Sequence, residues 1–394
     1  MYQFYVPTKI HFGVGAVKTL ATILDTYPLS TNILLVTDKG IIEAGLVNQI
    51  EDILLEKQFS YTIFSDVQPN PKSSMVNEGA QFAKNLDIQL IIAFGGGSTI
   101  DTAKAISILL TNDGTILDYE GVGKVQHDGI DVIAIPTTAG TGSEVTASTV
   151  ITDEHTLFKA AIISPKIFPT YAIVDPQLTV GCPPTITSST AVDALTHAIE
   201  SYLSKQENGV VRQMALQAIT LIHDAIETAY REPKNIQART DVLEGAMLAG
   251  LCFSQTRLGN VHAISQAFGG IFDIPHGFAN AVLLPYVLAF NLPAAPQKFV
   301  HIAQALGVYD GKLSDIENGQ RVVERIQTLN ATLHIPATTK ELGVQLDALP
   351  QLIADSMRSG NVLVNPRQTT AEDIETIIKN SYYGVLSLEN KIVE

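Results

Sequence analysis

Asp193 and His197 stand four residues apart in an alanine-rich stretch whose apolar spacing predicts a helix, so both side chains leave one face and can address one ion. Two further histidines follow, His262 in Gly-Asn-Val-His-Ala and His276 in Ile-Pro-His-Gly. One carboxylate with three imidazoles is a donor set for a divalent transition metal, iron(II) or zinc(II), rather than for calcium or magnesium, which take oxygen shells. In a chain with nine histidines a helical Asp/His pair is common without any ion. Other segments of the sequence strengthen the metal reading.

Gly95-Gly96-Gly97-Ser98 directly follows an apolar run, Gln89 to Phe94, and opens a helical period at Thr99. Glycines let backbone amides approach a diphosphate without side-chain clash, and a helix N-terminus adds partial positive charge. The segment is not the G-x-G-x-x-G fingerprint, and a glycine-rich turn is often only a turn. A second loop supports it: Pro136-Thr137-Thr138-Ala139-Gly140-Thr141-Gly142-Ser143-Glu144 follows the apolar run Asp131 to Ile135. Its hydroxyls and glycines can line a phosphate and sugar path from the other side. Asp38, after the run Asn32 to Thr37, can accept bonds from a ribose diol and would repel a 2′-phosphate, which favours NAD over NADP. Asp38-Lys39-Gly40 also has the composition of an ordinary turn.

The elements that must hold these residues fall into two regimes. From residue 1 to about 183, short apolar strands alternate with helical periods: strands at Asn32 to Thr37, Tyr61 to Ser65 and Gln89 to Phe94, helices at Ile42 to Leu55, Ser74 to Lys84 and Thr99 to Leu110. Such alternation predicts a Rossmann-like α/β domain with a mostly parallel sheet, helices on both faces and the ligand at the strand C-termini. Past Cys182-Pro183-Pro184 the strand signal stops, and helical periods run from Thr185 to Tyr202, Val211 to Tyr230 and Ile236 to Leu251, then on to short amphipathic segments such as Ala371 to Asn380. The proline pair marks the junction, giving domains of 1–183 and 184–394, the second all-α.

A length of 394 residues accommodates two cores, and 46% hydrophobic with 16% charged residues describes large buried faces. A net charge of −15 argues against nucleic acid and for small-molecule partners. Cys182 and Cys252 cannot build a disulfide framework or a thiolate zinc site. Met1 to His11 reads as alternating strand with no signal-peptide pattern, and the apolar runs look too short and interrupted for a membrane span. A cytoplasmic protein with no membrane attachment is the expectation.

The ordered set Gly-Gly-Gly-Ser-x-x-Asp-x-x-Lys at 95–104, Thr-Thr-x-Gly-Thr-Gly-Ser-Glu at 137–144, Asp193-Ala-Leu-Thr-His197-Ala-Ile-Glu200 and Pro275-His276-Gly277 resembles the iron-containing, group III alcohol dehydrogenases over essentially the whole length. The resemblance implies the dehydroquinate synthase-like architecture of that family, with a dinucleotide domain, a helical metal domain and a catalytic cleft between them. It implies Asp193, His197, His262 and His276 as ligands of the divalent metal. It places the NAD(H) phosphates and nicotinamide side at Gly96, Gly97, Ser98 and Asp101, the adenosine ribose at Asp38, further cofactor contacts at Thr137, Thr138, Thr141 and Ser143, and the nicotinamide ribose at Lys159. A homodimer or larger homo-oligomer is implied as well. The implied reaction is hydride transfer between a small primary alcohol or its aldehyde and the nicotinamide, with the cation as Lewis acid.

One position departs from the family: many members carry a histidine four residues after the third ligand, where this chain has Gln266, which hydrogen-bonds but does not titrate. Arg257, with Gln255 and Gln266, stands where family members commonly have small or neutral residues and suggests an anion-recognition patch for an acidic aldehyde such as sulfoacetaldehyde, a phosphonate analogue or a semialdehyde. A surface arginine with a salt-bridge partner is the plainer alternative. Two rival functions fit the same motifs: a lyase or cyclase resembling dehydroquinate synthase, which recycles NAD within a turnover, and a metallohydrolase whose glycine loops bind a substrate phosphate.

Overall fold

Ile33–Val36 and Leu90–Gly95 are buried along their whole length, as strands covered on both faces must be. In the computed structural model, which describes residues 2–386, they lie side by side in the first of two compact units. That unit is Tyr5–Cys182, and the chain from Pro183 onward, with the few residues ahead of Tyr5, forms the other.

The strands of the first unit are β1 Lys9–Phe12, β2 Ile33–Val36, β3 Tyr61–Phe64, β4 Leu90–Gly95, β5 Gly121–Val122, β6 Asp131–Pro136, β7 Ser148–Asp153, β8 Phe158–Ile163 and β9 Tyr171–Val174. Its helices are α1 Thr19–Leu24, α2 Lys39–Glu43, α3 Asn48–Glu56, α4 Ser73–Asn85 and α5 Gly97–Leu109. Six strands make one parallel sheet in the order β1-β9-β6-β4-β2-β3. Alternate strand residues serve opposite cores. Leu34, Val36, Ile91 and Ala93 pack with Val76 of α4 and Ile100 and Ile106 of α5, whereas Ile33, Leu35, Leu90 and Ile92 pack with Leu20 of α1 and Ile50 and Leu54 of α3.

After β2 the chain adds β3 on one side, then crosses back to add β4 on the other. The strand order therefore reverses between β2 and β4, and a doubly wound sheet offers its ligand crevice at the C-terminal ends of such a pair. Asp38 follows β2, and Gly95 to Ser98 spans the end of β4 and the start of α5. Register pairs Gly95 with Pro136, so the glycine loop and the threonine-rich loop leave adjacent strands side by side.

Three local expectations are corrected. The helical period Ile42 to Leu55 is two helices, α2 and α3, because Gly45 adopts φ +69° and ends the first turn in the left-handed region. Of Met1 to His11, only the residues from Lys9 are strand among those described, held by pairing with β9. A second sheet, β5-β8-β7, with β7 and β8 antiparallel, interrupts the strand–helix alternation between β6 and β9.

The other unit is helical: α6 Pro184–Leu203, α7 Gly209–Arg231, α8 Ile236–Thr256, α9 Asn260–Phe272, α10 His276–Asn291, α11 Pro296–Ala305, α12 Asp315–Thr332, α13 Leu349–Arg358 and α14 Ala371–Tyr383. Pro183 and Pro184 occupy the N-cap and first position of α6, where a missing N–H costs nothing. Nearly every residue of α6 from Thr187 to Leu203 is buried, so this helix is the axis of the unit. Among the described residues one stretch, His276–Ala294, does have the length and apolarity of a membrane span, contrary to expectation. Its most apolar window is 78% buried within the fold, as a core helix would be.

Behind the threonine-rich loop lies a buried charged cluster. Lys104 of α5 is fully buried and donates to Ser143 O at 2.9 Å and Thr146 Oγ1 at 3.2 Å, with Asp101 Oδ1 at 3.6 Å. Burial lifts the neighbouring Glu144 carboxyl to about 7, against the pull of its own backbone N–H and of Lys104. Below pH 4.5 this carboxyl is neutral in both folded and unfolded chains; between 4.5 and about 7 only the unfolded chain ionises it, so wild-type stability falls across that window. A shift of that size corresponds to about 3 kcal/mol. The variant Glu144→Gln is accordingly expected to gain on wild type in denaturant unfolding as pH rises from 4.5 to 7 and to hold that gain above it. A difference that stays flat across the window contradicts the assignment.

Candidate metal centre

Asp193, His197 and Glu200 occupy positions i, i+4 and i+7 of α6 and so share one face, and all three are buried. His262 is the third residue of α9, and His276 is the first of α10, with Asn280 one turn further on. Asp193 Oδ1 lies 3.7 Å from His197 Nε2 and 3.6 Å from His262 Nε2. Ligand atoms of Asp193, His262 and His276 all fall within 4.8 Å of one another. His197 joins them through the carboxylate and by stacking on His262, ring centroids 4.6 Å apart, with Phe253 at 4.6 Å on the same imidazole.

Two residues of this cluster went unassigned at the sequence level, Glu200 and Asn280. Glu200 Oε2 accepts from His262 Nδ1 at 2.6 Å while its Oε1 accepts from Val261 N at 2.8 Å. The first bond holds a proton on Nδ1 and turns Nε2 toward Asp193, the orientation a carboxylate gives a metal-bound histidine. The second serves the otherwise orphaned amides at the start of α9. Asn280 Nδ2 lies 2.5 Å from Asp193 Oδ1. The spacing signals were present, 193/197/200 on one helix and 276/280 on another.

Close helix approach makes the convergence possible. A Cβ at Gly277 would come within 2.5 Å of Ser189 O, so only glycine lets the start of α10 lie on α6 one turn ahead of Asp193. A Cβ at Gly259 would meet Glu200 Oε1 at 2.8 Å. Electrostatics follow the geometry. Burial opposes charge on His262, but Glu200 and Asp193 outweigh it and lift the imidazole to about 9. Burial likewise opposes charge on Asp193, yet His197, His262 and His276 hold its carboxyl far below the usual range. A buried carboxylate facing three imidazoles, one of them oriented by a second carboxylate, fits a divalent transition metal.

In the first unit, α5 starts at Gly97 with no side chain capping its first turn, so its leading amides are available to an anion. Gly97 packs directly on the Thr141 side chain, and a Cβ at Gly96 would touch Thr138 Oγ1 at 3.5 Å. Thr137 N donates to Gly95 O at 3.0 Å. Asp38 caps α2 through Ile41 N at 3.0 Å, as a turn-forming aspartate would, and its Oδ2 also accepts from Thr99 Oγ1 at 3.4 Å. Asp101 commits both oxygens within the protein, Oδ1 to Ser143 Oγ at 2.5 Å and Oδ2 to Val150 N at 2.9 Å. Lys159 lies buried on β8 and donates to Asn70 Oδ1 at 2.6 Å.

Arg257 ends α8 with φ +57°, an uncommon backbone for an arginine. It is half-buried, its Nη1 packs against Gly360, and among the described residues no carboxylate pairs with it. Ser359, beside Gly360, donates to Oε1 of Gln266 at 3.5 Å, and Gln266 sits one turn after His262 on α9. Gln255 is half-buried in the last turn of α8.

The chain is similar to known proteins over nearly its whole length. The model for "iron-containing alcohol dehydrogenase" matches residues 7–176, and that for "Fe-containing alcohol dehydrogenase family, C-terminal" matches residues 187–382. The NAD-dependent methanol dehydrogenase of Bacillus methanolicus is 38% identical over 381 residues, 97% of this chain and 100% of its own. The crystal structure of a 1,3-propanediol oxidoreductase superposes with a TM-score of 0.93 at 36% identity, covering 97% of this chain and 100% of that one. A sulfoacetaldehyde reductase from Bifidobacterium kashiwanohense, solved in complex with NAD+, gives a TM-score of 0.85 at 30% identity, covering 97% of this chain and 98% of that one.

Proposed function

Because the chain belongs to the iron-containing alcohol dehydrogenase family, we propose that it interconverts a small primary alcohol and its aldehyde, using NAD(H) and one divalent cation, iron(II) or zinc(II), held by Asp193, His197, His262 and His276. The observation that carries this reading is the largely buried Asp/His cluster whose His262 ring is oriented by Glu200. When bound, the cation supplies Lewis acidity at the alcohol or carbonyl oxygen and the nicotinamide accepts or returns the hydride. Asp193 would contribute the one negative charge of the ligand set, and Glu200, by holding a proton on His262 Nδ1, would leave Nε2 as the nitrogen that meets the ion. The first-turn amides of α5, at Gly97 and Ser98 beyond Gly96, suit the cofactor diphosphate, and Asp38 at the end of β2 suits a ribose diol. Thr137, Thr138 and Thr141 line the adjoining loop, which Asp101 and Ser143 brace, and Lys159 is assigned to the nicotinamide ribose. Gln266 hydrogen-bonds but does not titrate, so the alcohol proton leaves by another group. The NAD+ complex of the reductase and the NAD dependence of the methanol dehydrogenase support the choice of cofactor.

We further assign an anionic aldehyde, a sulfonate, phosphonate or carboxylate, as the preferred substrate class. Arg257 is a partly buried guanidinium with no carboxylate partner among the described residues, and it packs on the 359–360 segment that also meets Gln266 one turn from His262. An unpaired guanidinium is a ready bidentate anion anchor. The resemblance to a sulfoacetaldehyde reductase is consistent with that choice.

Chelated protein is expected to lose alcohol-dependent accumulation of NADH and to regain it on adding iron(II) or zinc(II); full activity in verified metal-free protein contradicts the metal role, and turnover without net NADH points to a lyase. For the substrate class, Arg257→Ala is expected to lower kcat/KM for sulfoacetaldehyde about 10- to 100-fold relative to a neutral aldehyde of similar size. Unchanged discrimination removes Arg257 from substrate recognition.

A further inference from the structure

Three charged side chains meet behind the threonine-rich loop: Asp101 and Lys104 on α5, and Glu144 at the end of the loop. Lys104 and Glu144 are buried and Asp101 is largely so. Lys104 Nζ has acceptors in Ser143 O at 2.9 Å, Thr146 Oγ1 at 3.2 Å and Thr146 O at 3.5 Å, with Asp101 Oδ1 at 3.6 Å, surroundings that suit an ammonium with three hydrogens to give. One cation therefore faces two carboxylates. The donors are shared unequally between them, since Asp101 receives Ser143 Oγ and Val150 N while Glu144 has its own backbone N–H and the charge of Lys104. Such a cluster reaches zero net charge with one carboxyl protonated, and the distribution of donors gives that proton to Glu144. The two strands that pack on the 143–145 turn, β6 and β9, bring no cation to offset it. β6 begins at Asp131, which accepts from the Tyr27 and Thr170 hydroxyls, and β9 leads into Asp175, which accepts from Gly15 N, Val17 N and Gln177 N.

Glu144 is three residues past Thr141, whose side chain packs on Gly97 at the start of α5. No more than about 11 Å of extended chain separates it from that contact. A diphosphate seated on the first-turn amides of α5 brings two negative charges to this place. An ionised Glu144 repels them through a protein interior that screens poorly, whereas a protonated one does not.

We propose that Glu144 is a proton-linked site of the cofactor loop, taking up a proton when the diphosphate of a dinucleotide binds at the start of α5 and weakening that binding when it is ionised. The inference rests on the reading of this loop as the NAD(H) site. In the unbound protein the carboxyl titrates at about 7. Well below that value it holds its proton with or without cofactor, and affinity does not change with pH. Above it the unbound protein has lost the proton that the bound state keeps, so affinity falls as pH rises, until the carboxyl is ionised in both states.

The test measures binding of NADH and of ADP-ribose by calorimetry, from about pH 6 to about pH 9 and in buffers of differing ionisation enthalpy, on wild type, Glu144→Gln and Glu144→Asp. Wild type is expected to bind both ligands about 3- to 10-fold more weakly at the top of the range and to take up about 0.3 to 0.5 proton per ligand near pH 7.5. ADP-ribose has the diphosphate without the nicotinamide and is expected to match NADH. Glu144→Gln is expected to keep the low-pH affinity across the range and to lose the uptake, and Glu144→Asp, which retains a carboxyl, to keep it. Wild type that binds both ligands with flat affinity and no uptake overturns the linkage without recourse to a variant, and so does Glu144→Gln that takes up as much proton as wild type. Wild type that binds neither ligand at any pH brings down the cofactor reading, and this inference with it.

Discussion

The two oxygens of Glu200 hold the helical unit's chemistry in place. One caps the start of α9 at Val261 N, and the other orients His262 through Nδ1. A single buried carboxylate on α6 thus fixes where α9 begins and which nitrogen its histidine presents. Asp193, seven residues earlier on the same face, faces that nitrogen. Glycines at 259 and 277 then let the starts of α9 and α10 come within backbone distance of α6. Acidic side chains near helix N-termini are favoured electrostatically, so the arrangement that assembles the ligands also stabilises the helices.

The first unit relies on a different constraint, the reversal of strand order between β2 and β4. It brings Asp38 and the start of α5 together at the strand ends, where Thr99 links them. Parallel register then puts the 136–144 loop beside the glycine turn, and contact between Gly97 and Thr141 closes the two loops on each other. Asp101 and Lys104 brace this loop from within the protein, Asp101 through the Ser143 hydroxyl and Lys104 through the Ser143 carbonyl. These bonds anchor the loop, which suits a surface that must present backbone amides and hydroxyls in fixed positions.

Much of this was legible from residue types alone. Fully apolar runs ahead of glycine or threonine loops identified β2, β4 and β6, and Pro183-Pro184 marked where strands give way to helices. The i, i+4 spacing of Asp193 and His197 survived in the structure as one helix face. Glu200 and Asn280 were harder, because a carboxylate or an amide on a helix is usually solvated, and only the packing of α9 and α10 against α6 gives these two their partners. The α2/α3 break depended on one residue, Gly45, whose positive φ no periodicity can reveal. The β7–β8 hairpin escaped notice although two apolar runs flank the polar turn after Asp153. The apolar length of α10 reflects burial in the core rather than in lipid.

The claim on which the account rests is that one cation is held by four side chains from three helices. Crystals grown with zinc(II) or iron(II), and read by anomalous scattering at the metal edge, test it most directly. The expected result is a single site within bonding distance of Asp193, His197, His262 and His276. Anomalous density elsewhere in the protein, or an ion at this cluster that His197 does not touch, would contradict it.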